Sequence, residues 1–194
     1  RFNMVLSQGS KLYASYLFTG FIRGTESAAT QHHLQVRNTD AKNEISYQGS
    51  LTNTQTGMVK AGFYRHKSRF ARKLGPVKIG YEDEFEQNRL LDIPKDTLRK
   101  TSYRFYDRQV FLGSADTGSR NFNLFYRVRT DESPGVNKDD FTRYARAEQV
   151  GLSLSLQSRD QIRFTNTSSY RRLSISDTSV TSQKPEETLL NRVE

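Results

Sequence analysis

Residues 144–175 form the longest alternating stretch in the chain, and this pattern most constrains what the chain can fold into. In the first half, the residues at even positions alternate with small or polar residues at odd positions, and such alternation is what a half-buried strand requires. The alternating positions are Tyr144, Arg146, Glu148, Val150, Leu152, Leu154 and Leu156. A polar turn at 157–160 follows, and Ile162 and Phe164 begin a second arm. The sequence therefore predicts a long β-hairpin.

The second arm of this predicted hairpin changes phase. Its alternating positions run to Tyr170, but beyond Arg171 and Arg172 the apolar side chains are Leu173 and Ile175. One extra residue in an alternating run is typical of a β-bulge, so we predict a bulge at Arg171–Arg172.

The rest of the chain contains short alternating runs separated by turn residues, and about ten strands are predicted in all. Residues 66–74 are basic and predict a loop or a helical turn, and residues 90–100 predict another helical turn. Short connections favour antiparallel neighbours. The expected fold is all-β: an antiparallel meander of long β-hairpins, forming a curved sheet or part of a β-barrel. We expect residues 1–194 to be a single β-rich region. Because the sequence begins with Arg1 and ends in an apolar segment, we expect it to be a fragment of a longer chain.

Composition limits the class of protein. Only 34% of residues are hydrophobic, yet there are 10 Tyr and 12 Phe, a composition that suits a half-wet sheet. The absence of Cys excludes a disulfide framework and thiolate metal sites. No apolar run reaches the ~18 residues of a transmembrane helix, and no signal peptide is evident.

The net charge of +9 suggests an anionic partner. The one local basic cluster is a candidate polyanion-binding site and comprises Arg65, Lys67, Arg69, Arg72 and Lys73. The alternative is a set of bases spread along strands that face solvent or a lumen. Aromatic and basic residues interleave at 103–108, which could stack single-stranded nucleic acid, but a sheet with one packed face has the same pattern. Nucleic acid is therefore not the expected partner.

No catalytic, cofactor or metal site is predicted. The Asp-Thr-Gly at 116–118 matches an aspartic-protease signature, but that chemistry needs two aspartates and the chain has one such motif. Glu82, Glu84 and Glu86 share one strand face, and we expect them to pair with bases on neighbouring strands rather than bind calcium. His32 and His33 would point to opposite faces of a strand, which argues against zinc. We therefore expect a non-enzymatic protein.

Two apolar stretches could face lipid, Val150–Leu156 and Leu12–Ile22. Against this, Asp83 stands between Tyr81 and Phe85, and the run Phe105, Asp107 and Gln109 also predicts polar groups on an apolar face. The mean hydropathy of −0.78 favours water. The sequence leaves open whether this sheet spans lipid.

Two stretches, 77–88 and 170–194, resemble parts of large β-strand-rich outer-membrane-associated proteins of Bacteroidota, with a likeness that covers roughly residues 70–194. The resemblance implies an outer-membrane or periplasmic location and a chain that continues past Glu194. The implied partners are the remainder of its own chain, other envelope proteins and outer-membrane lipid. It carries over no catalytic residue. The expected function is that of a non-enzymatic β-sheet segment of a large cell-envelope protein, with a structural, transport or surface-binding role. The alternative is a soluble β-domain that binds a polyanion or glycan through a basic and aromatic face.

Overall fold

Twelve strands make up the chain in the computed structural model, which describes residues 2–8, 11–24, 27–93, 95, 97–115, 120–134, 141–157, 163–177 and 185–193. Nine of these strands have 12 to 17 residues, and the other three are shorter. The strands are β1 (Phe2–Gln8), β2 (Leu12–Arg23), β3 (Ser27–Thr39), β4 (Asn43–Thr56), β5 (Val59–Leu74), β6 (Val77–Asp92), β7 (Thr97–Leu98), β8 (Tyr103–Ser114), β9 (Arg120–Pro134), β10 (Phe141–Gln157), β11 (Arg163–Asp177) and β12 (Glu186–Val193).

All twelve strands belong to one antiparallel sheet. The order follows the chain from β1 to β12, with β8 beside β6 and the two-residue β7 pairing to the end of β6. The predicted all-β meander of long hairpins is therefore confirmed. The sheet is not closed into a barrel, because β1 and β12 form its two edges. The described residues contain no helix that is long and apolar enough to cross a membrane.

Two predicted interruptions of the strands are wrong. Residues 66–74, predicted as a loop or helical turn, continue β5 without a break. They form a strand because the whole of β5 pairs with β6, whose acidic residues lie opposite the bases. Near 90–100, β6 extends to Asp92 and is followed by turn residues and β7, with no helix among the described residues.

The hairpin of β10 and β11 is confirmed, but the bulge predicted at Arg171–Arg172 is wrong. The register between the two strands is unbroken from Arg143–Asp177 to Gln157–Arg163. Leu173 and Ile175 are therefore on the opposite face from Tyr170, where they pair with Ala147 and Ala145. Register shifts occur instead in β1 and near the start of β10. Most of the predicted turn, and Ile162, lie outside the described residues.

The two faces of the sheet differ in chemistry. We call the face of Tyr81, Val110, Tyr126 and Val150 the apolar face; it carries nearly all the exposed large apolar side chains of the described strands. The opposite face is called the polar face; its corresponding residues are Glu82, Gln109, Arg127 and Gln149.

The sheet has almost no interior of its own, because it is a single layer. Ala71, Leu98 and Phe141 are the buried hydrophobic residues of the described part of the chain. Leu98 and Ser102 belong to the β6–β8 connection, where Ser102 Oγ accepts a hydrogen bond from the Leu90 amide at 3.0 Å and donates one to the Leu90 carbonyl at 3.2 Å. The large side chains of the apolar face are therefore left exposed by the described part of the chain.

Candidate functional site

The apolar face carries a continuous band of large side chains. One register row crosses six adjacent strands with an aromatic or aliphatic residue at every position. The row consists of Tyr81, Val110, Tyr126, Val150, Tyr170 and Leu189. All six are exposed, with relative accessibilities from 38% to 77%. Ile79, Leu112, Leu124 and Leu152 form a second apolar row beside the first.

The apolar band shifts along the strands from one strand to the next. On β2 its residues run from Leu12 to Ile22, with residue 17 in the middle. If each residue is followed to its register partner on the next strand, residue 17 of β2 leads to residue 145 of β10. The apolar run on β10, Val150–Leu156, is centred on residue 153 instead. The difference is eight residues over the seven pairing steps from β2 to β10.

Strands between these two give the same shift. On β4 the run from Ile45 to Leu51 is centred two residues from the register partner of residue 17, after two pairing steps. On β9 the run from Phe122 to Val128 is centred six residues away, after six steps. The band therefore advances by about one residue per strand.

This stagger is a geometric signature of tilted strands. Strands lie about 4.8 Å apart and rise about 3.3 Å per residue, so a shift of one residue per strand keeps the band level only if the strands tilt by about 35°. Strands in transmembrane barrel walls tilt by about 35–45°. At that tilt the run Leu12–Ile22 spans about 27 Å, close to the height of about 25 Å of the apolar band on such a wall.

A group of charged side chains, called the charged zone, lies on the apolar face of β6, β8 and β9. Asp83 belongs to it and has polar partners on several sides: His66 Nε2 lies 2.6 Å from its Oδ2, and Tyr81 Oη donates a hydrogen bond to Oδ1 at 3.0 Å. Arg108 Nε also donates to Asp83 Oδ1 at 3.2 Å. Arg104 pairs with Glu132 in the same zone. The carboxylate that argued against a lipid-facing surface is thus paired, and it lies within the band on β6, between Tyr81 and Phe85.

One objection to an apolar surface rested on a wrong assignment of faces. Phe105, Asp107 and Gln109 lie on the polar face of β8. The apolar face of that strand presents Tyr106, Arg108, Val110 and Leu112. Because aromatic residues occur on both faces of β8, the sequence alone does not distinguish the apolar face of this strand from its polar face.

The polar face carries a ladder of ion pairs between β5 and β6. Arg65 Nη2 contacts Glu84 at 2.6 Å and its Nε lies 3.5 Å from Glu86, while Arg69 Nη1 contacts Glu82 at 2.6 Å. The predicted pairing of the three glutamates with cross-strand bases is therefore confirmed. The ladder continues on the next two strands, where Arg127 and Asp107 form a bidentate pair.

The bases of the ladder extend further into solvent than the acids. The side chains of Arg65 and Lys67 are 51% and 62% exposed, whereas those of Glu84 and Glu86 are 24% and 16% exposed. Long basic side chains lie over shorter carboxylates, as expected where an apolar stem packs against the sheet. An approaching solute therefore meets guanidinium and ammonium groups first.

The structure brings together three of the five candidate polyanion-binding residues. Arg65, Lys67 and Arg69 are successive polar-face residues of β5. Lys73 is on the same face near the end of the strand, where its register partner on β6 is Lys78. Arg72 lies on the apolar face opposite Ile79.

Two phenylalanines on the polar face cover glycines of neighbouring strands, an arrangement that sequence reasoning missed. A Cβ atom at Gly80 would lie 2.6 Å from Phe111 Cε1, and one at Gly151 would lie 2.5 Å from Phe125 Cε1. The guanidinium of Arg69 lies over the Phe111 ring at 5.5 Å. Finding these pairs requires the register, because the partners are far apart in the sequence.

The remaining motifs form no assembled catalytic or metal site in the described part of the chain. His32 is on the apolar face, where its Nδ1 lies 2.6 Å from Tyr16 Oη, and His33 is on the polar face, so the predicted separation of these histidines is confirmed. No group of three His, Cys, Asp or Glu side chains among the described residues could hold a metal ion. The Asp-Thr-Gly of 116–118 lies outside the described residues.

No known protein family, curated protein or solved structure matches this chain.

Proposed function

We propose that this chain is part of the lipid-facing wall of a large outer-membrane protein. The observation that carries the proposal is the stagger of the apolar band by about one residue per strand. A wall in a bilayer must keep its apolar residues level across many tilted strands, because the hydrocarbon layer is flat.

The polar face supports the same proposal. In a barrel wall the residues that alternate with the lipid-facing ones line a polar interior. Here they include Ser, Thr, Gln and paired charges, such as Arg69 with Glu82 and Arg127 with Asp107. We assign the chain a structural or transport role rather than catalysis.

The edges of the sheet define the expected partners. Both β1 and β12 have one unpaired side among the described residues, and such an edge is a template for pairing with another strand. We propose that they pair with further strands of its own polypeptide or with another envelope protein. Lipid covers the apolar face in this proposal, and the cellular location is the outer membrane.

The experiment is fractionation of the natively produced protein. Envelopes are washed with high salt and then extracted with detergent, and each pool is probed for this segment. Recovery only in the detergent extract is the expected result. Release by salt or buffer alone would contradict the proposal, because an apolar band that is buried in bilayer does not respond to ionic strength.

A second candidate function is favoured by the exposed bases of the polar face. A soluble β-domain could bind a polyanion or glycan through Arg65, Lys67 and neighbouring aromatic residues. Affinity for a polyanion such as heparin would then fall steeply with salt, since counterion release drives such binding. Recovery in the salt-released pool together with this salt dependence would favour the second candidate over the first.

A further inference from the structure

A small cavity on the polar face is lined by hydrogen-bond donors and lacks a carboxylate in its wall. Its volume is about 240 Å³, and it lies where β3, β4 and β5 run side by side. Its lining residues are His33, Gln48, Ser50, Arg65 and Lys67. His33, Ser50 and Arg65 are direct register partners, and Gln48 pairs with Lys67 in the adjacent row. Regular pairing therefore fixes the position of all five residues.

Three of the lining side chains are uncommitted. Among the described residues, those of His33, Gln48 and Ser50 make no hydrogen bond to another protein group. A partly enclosed site with unused polar groups is suited to a polar ligand, since these groups would otherwise be satisfied by water alone.

The two bases keep donors available for a ligand although both have acidic neighbours. Arg65 uses Nη2 towards Glu84 and Nε towards Glu86, so its Nη1 group is not engaged in these contacts. Lys67 Nζ lies 3.8 Å from Glu84, which is longer than a hydrogen bond. The acids are on β6, on the far side of β5 from the cavity.

We propose that this cavity binds an oxyanion group, phosphate or sulfate, carried on a small polar molecule such as a sugar. Arg65 and Lys67 supply positive charge and fixed N–H donors, the arrangement that favours tetrahedral oxyanions. Gln48, Ser50 and His33 supply the neutral hydrogen bonds. The volume exceeds that of the oxyanion alone, which leaves room for part of its carrier. The proposal depends only on the polar face, so its failure would leave the membrane assignment unaffected.

Inorganic phosphate is the probe. The natively produced protein, purified from the fraction in which it is recovered, is titrated by calorimetry at constant ionic strength, with chloride as the balancing anion. Saturable binding in about the millimolar range is expected, because a few charge-assisted hydrogen bonds to a hydrated ion give modest affinity. A hexose phosphate, compared with inorganic phosphate, tests for the carrier, and equal affinity would limit the site to the oxyanion alone.

Variants locate the binding. Ser50→Asp places a carboxylate beside Arg65 and is expected to weaken phosphate binding at least about tenfold, whereas Ser50→Asn keeps the site neutral and should change it by less than about threefold. Lys67→Gln should weaken binding about five- to tenfold. Arg171→Gln removes a base from the same face on β11, away from the cavity, and is the matched control.

Two results would overturn the proposal. One is the absence of saturable phosphate binding by the folded protein. The other is an equal loss of affinity in Lys67→Gln and Arg171→Gln, which would indicate general attraction to a basic face. Far-ultraviolet circular dichroism of each variant verifies that the sheet is intact, and Lys67→Arg, which keeps the charge, should restore binding.

Discussion

Phe125 of β9 lies directly over Gly151 of β10, so that a Cβ atom at residue 151 would come within 2.5 Å of Phe125 Cε1 and 3.1 Å of Cε2. The pair occupies the polar face, at the register position where the two residues face each other. Because the ring covers the backbone, the glycine is required here for space and not for a special backbone conformation. Phe111 and Gly80 repeat the arrangement between β8 and β6.

Gly151→Ala should therefore destabilise the sheet. We expect the free energy of unfolding to fall by about 1–3 kcal/mol, as for other overpacked sites. Gly62→Ala is the matched control, since its added Cβ would come no closer than 3.6 Å to Asn53 Oδ1. Urea unfolding followed by circular dichroism compares the two variants. Equal stability of both would show that Phe125 can move aside without cost.

Charge at the middle of the apolar band should be costly. Leu152→Arg is expected to lower stability by about 2–4 kcal/mol if residue 152 faces the hydrocarbon layer. Ser153→Arg, on the next residue but on the polar face, should cost much less, because the arginine reaches water. Unfolding from lipid vesicles by denaturant measures both. A similar cost for the two variants would mean that the two faces have similar surroundings.

Removal of the shared carboxylate of the ion-pair ladder should strengthen anion binding. Glu84 lies 2.6 Å from Arg65 and 3.8 Å from Lys67, the two bases of the proposed oxyanion site. Glu84→Gln removes the carboxylate that both bases share and should tighten phosphate binding about three- to tenfold, because a competing negative charge is lost. Glu186→Gln on β12 is the control. Weaker binding in Glu84→Gln would show that Glu84 holds the bases in position for the ligand.

Asp40 makes the β3–β4 turn sensitive to acid. Hydrogen bonds from the Asn43 side chain, and from the backbone amides of Asn43 and Lys42, lower the pKa of Asp40 from 3.8 to about 2. Because the pKa in the folded protein is the lower one, the stabilising effect is complete above the unfolded value near 3.8 and is lost as pH falls towards 2. Asp40→Asn should thus be less stable than the unmodified protein at pH 6, with the difference shrinking below pH 3.8. A difference that stays constant with pH would contradict this assignment.

The sequence predicts the positions of the strands better than it predicts their pairing and register. Alternation suffices for the β10–β11 hairpin, because one strand's pattern is a local property. The continuation of β5 through His66 and Arg72 could not be predicted from that segment alone. Its basic residues are stable in a strand because the glutamates of β6 lie opposite them. The change of phase at Arg171 is read as a bulge in the sequence, whereas the structure places Leu173 against Ala147 on the other face.

The candidate surfaces were also harder to predict than the individual strands. The pairing of Glu82 with a base was predictable from charge alternation, but which base was not. The cavity lined by His33 and Arg65 could not be predicted from the sequence, because it depends on the register of three strands. The stagger of the apolar band becomes visible only when several strands are aligned. Both properties belong to the sheet and not to any one segment.

The central claim is that lipid covers the apolar face, and alternating accessibility along β10 tests it most directly. The sequence contains no Cys, so single cysteines can be placed at Val150 and Leu152 on the apolar face and at Gln149 and Ser153 on the polar face. Native membranes are treated with a membrane-impermeant maleimide before and after detergent and denaturant. The account predicts labelling at 149 and 153 in intact membranes and protection at 150 and 152 until the bilayer is dissolved and the protein unfolded. Equal labelling of all four positions in intact membranes would contradict it.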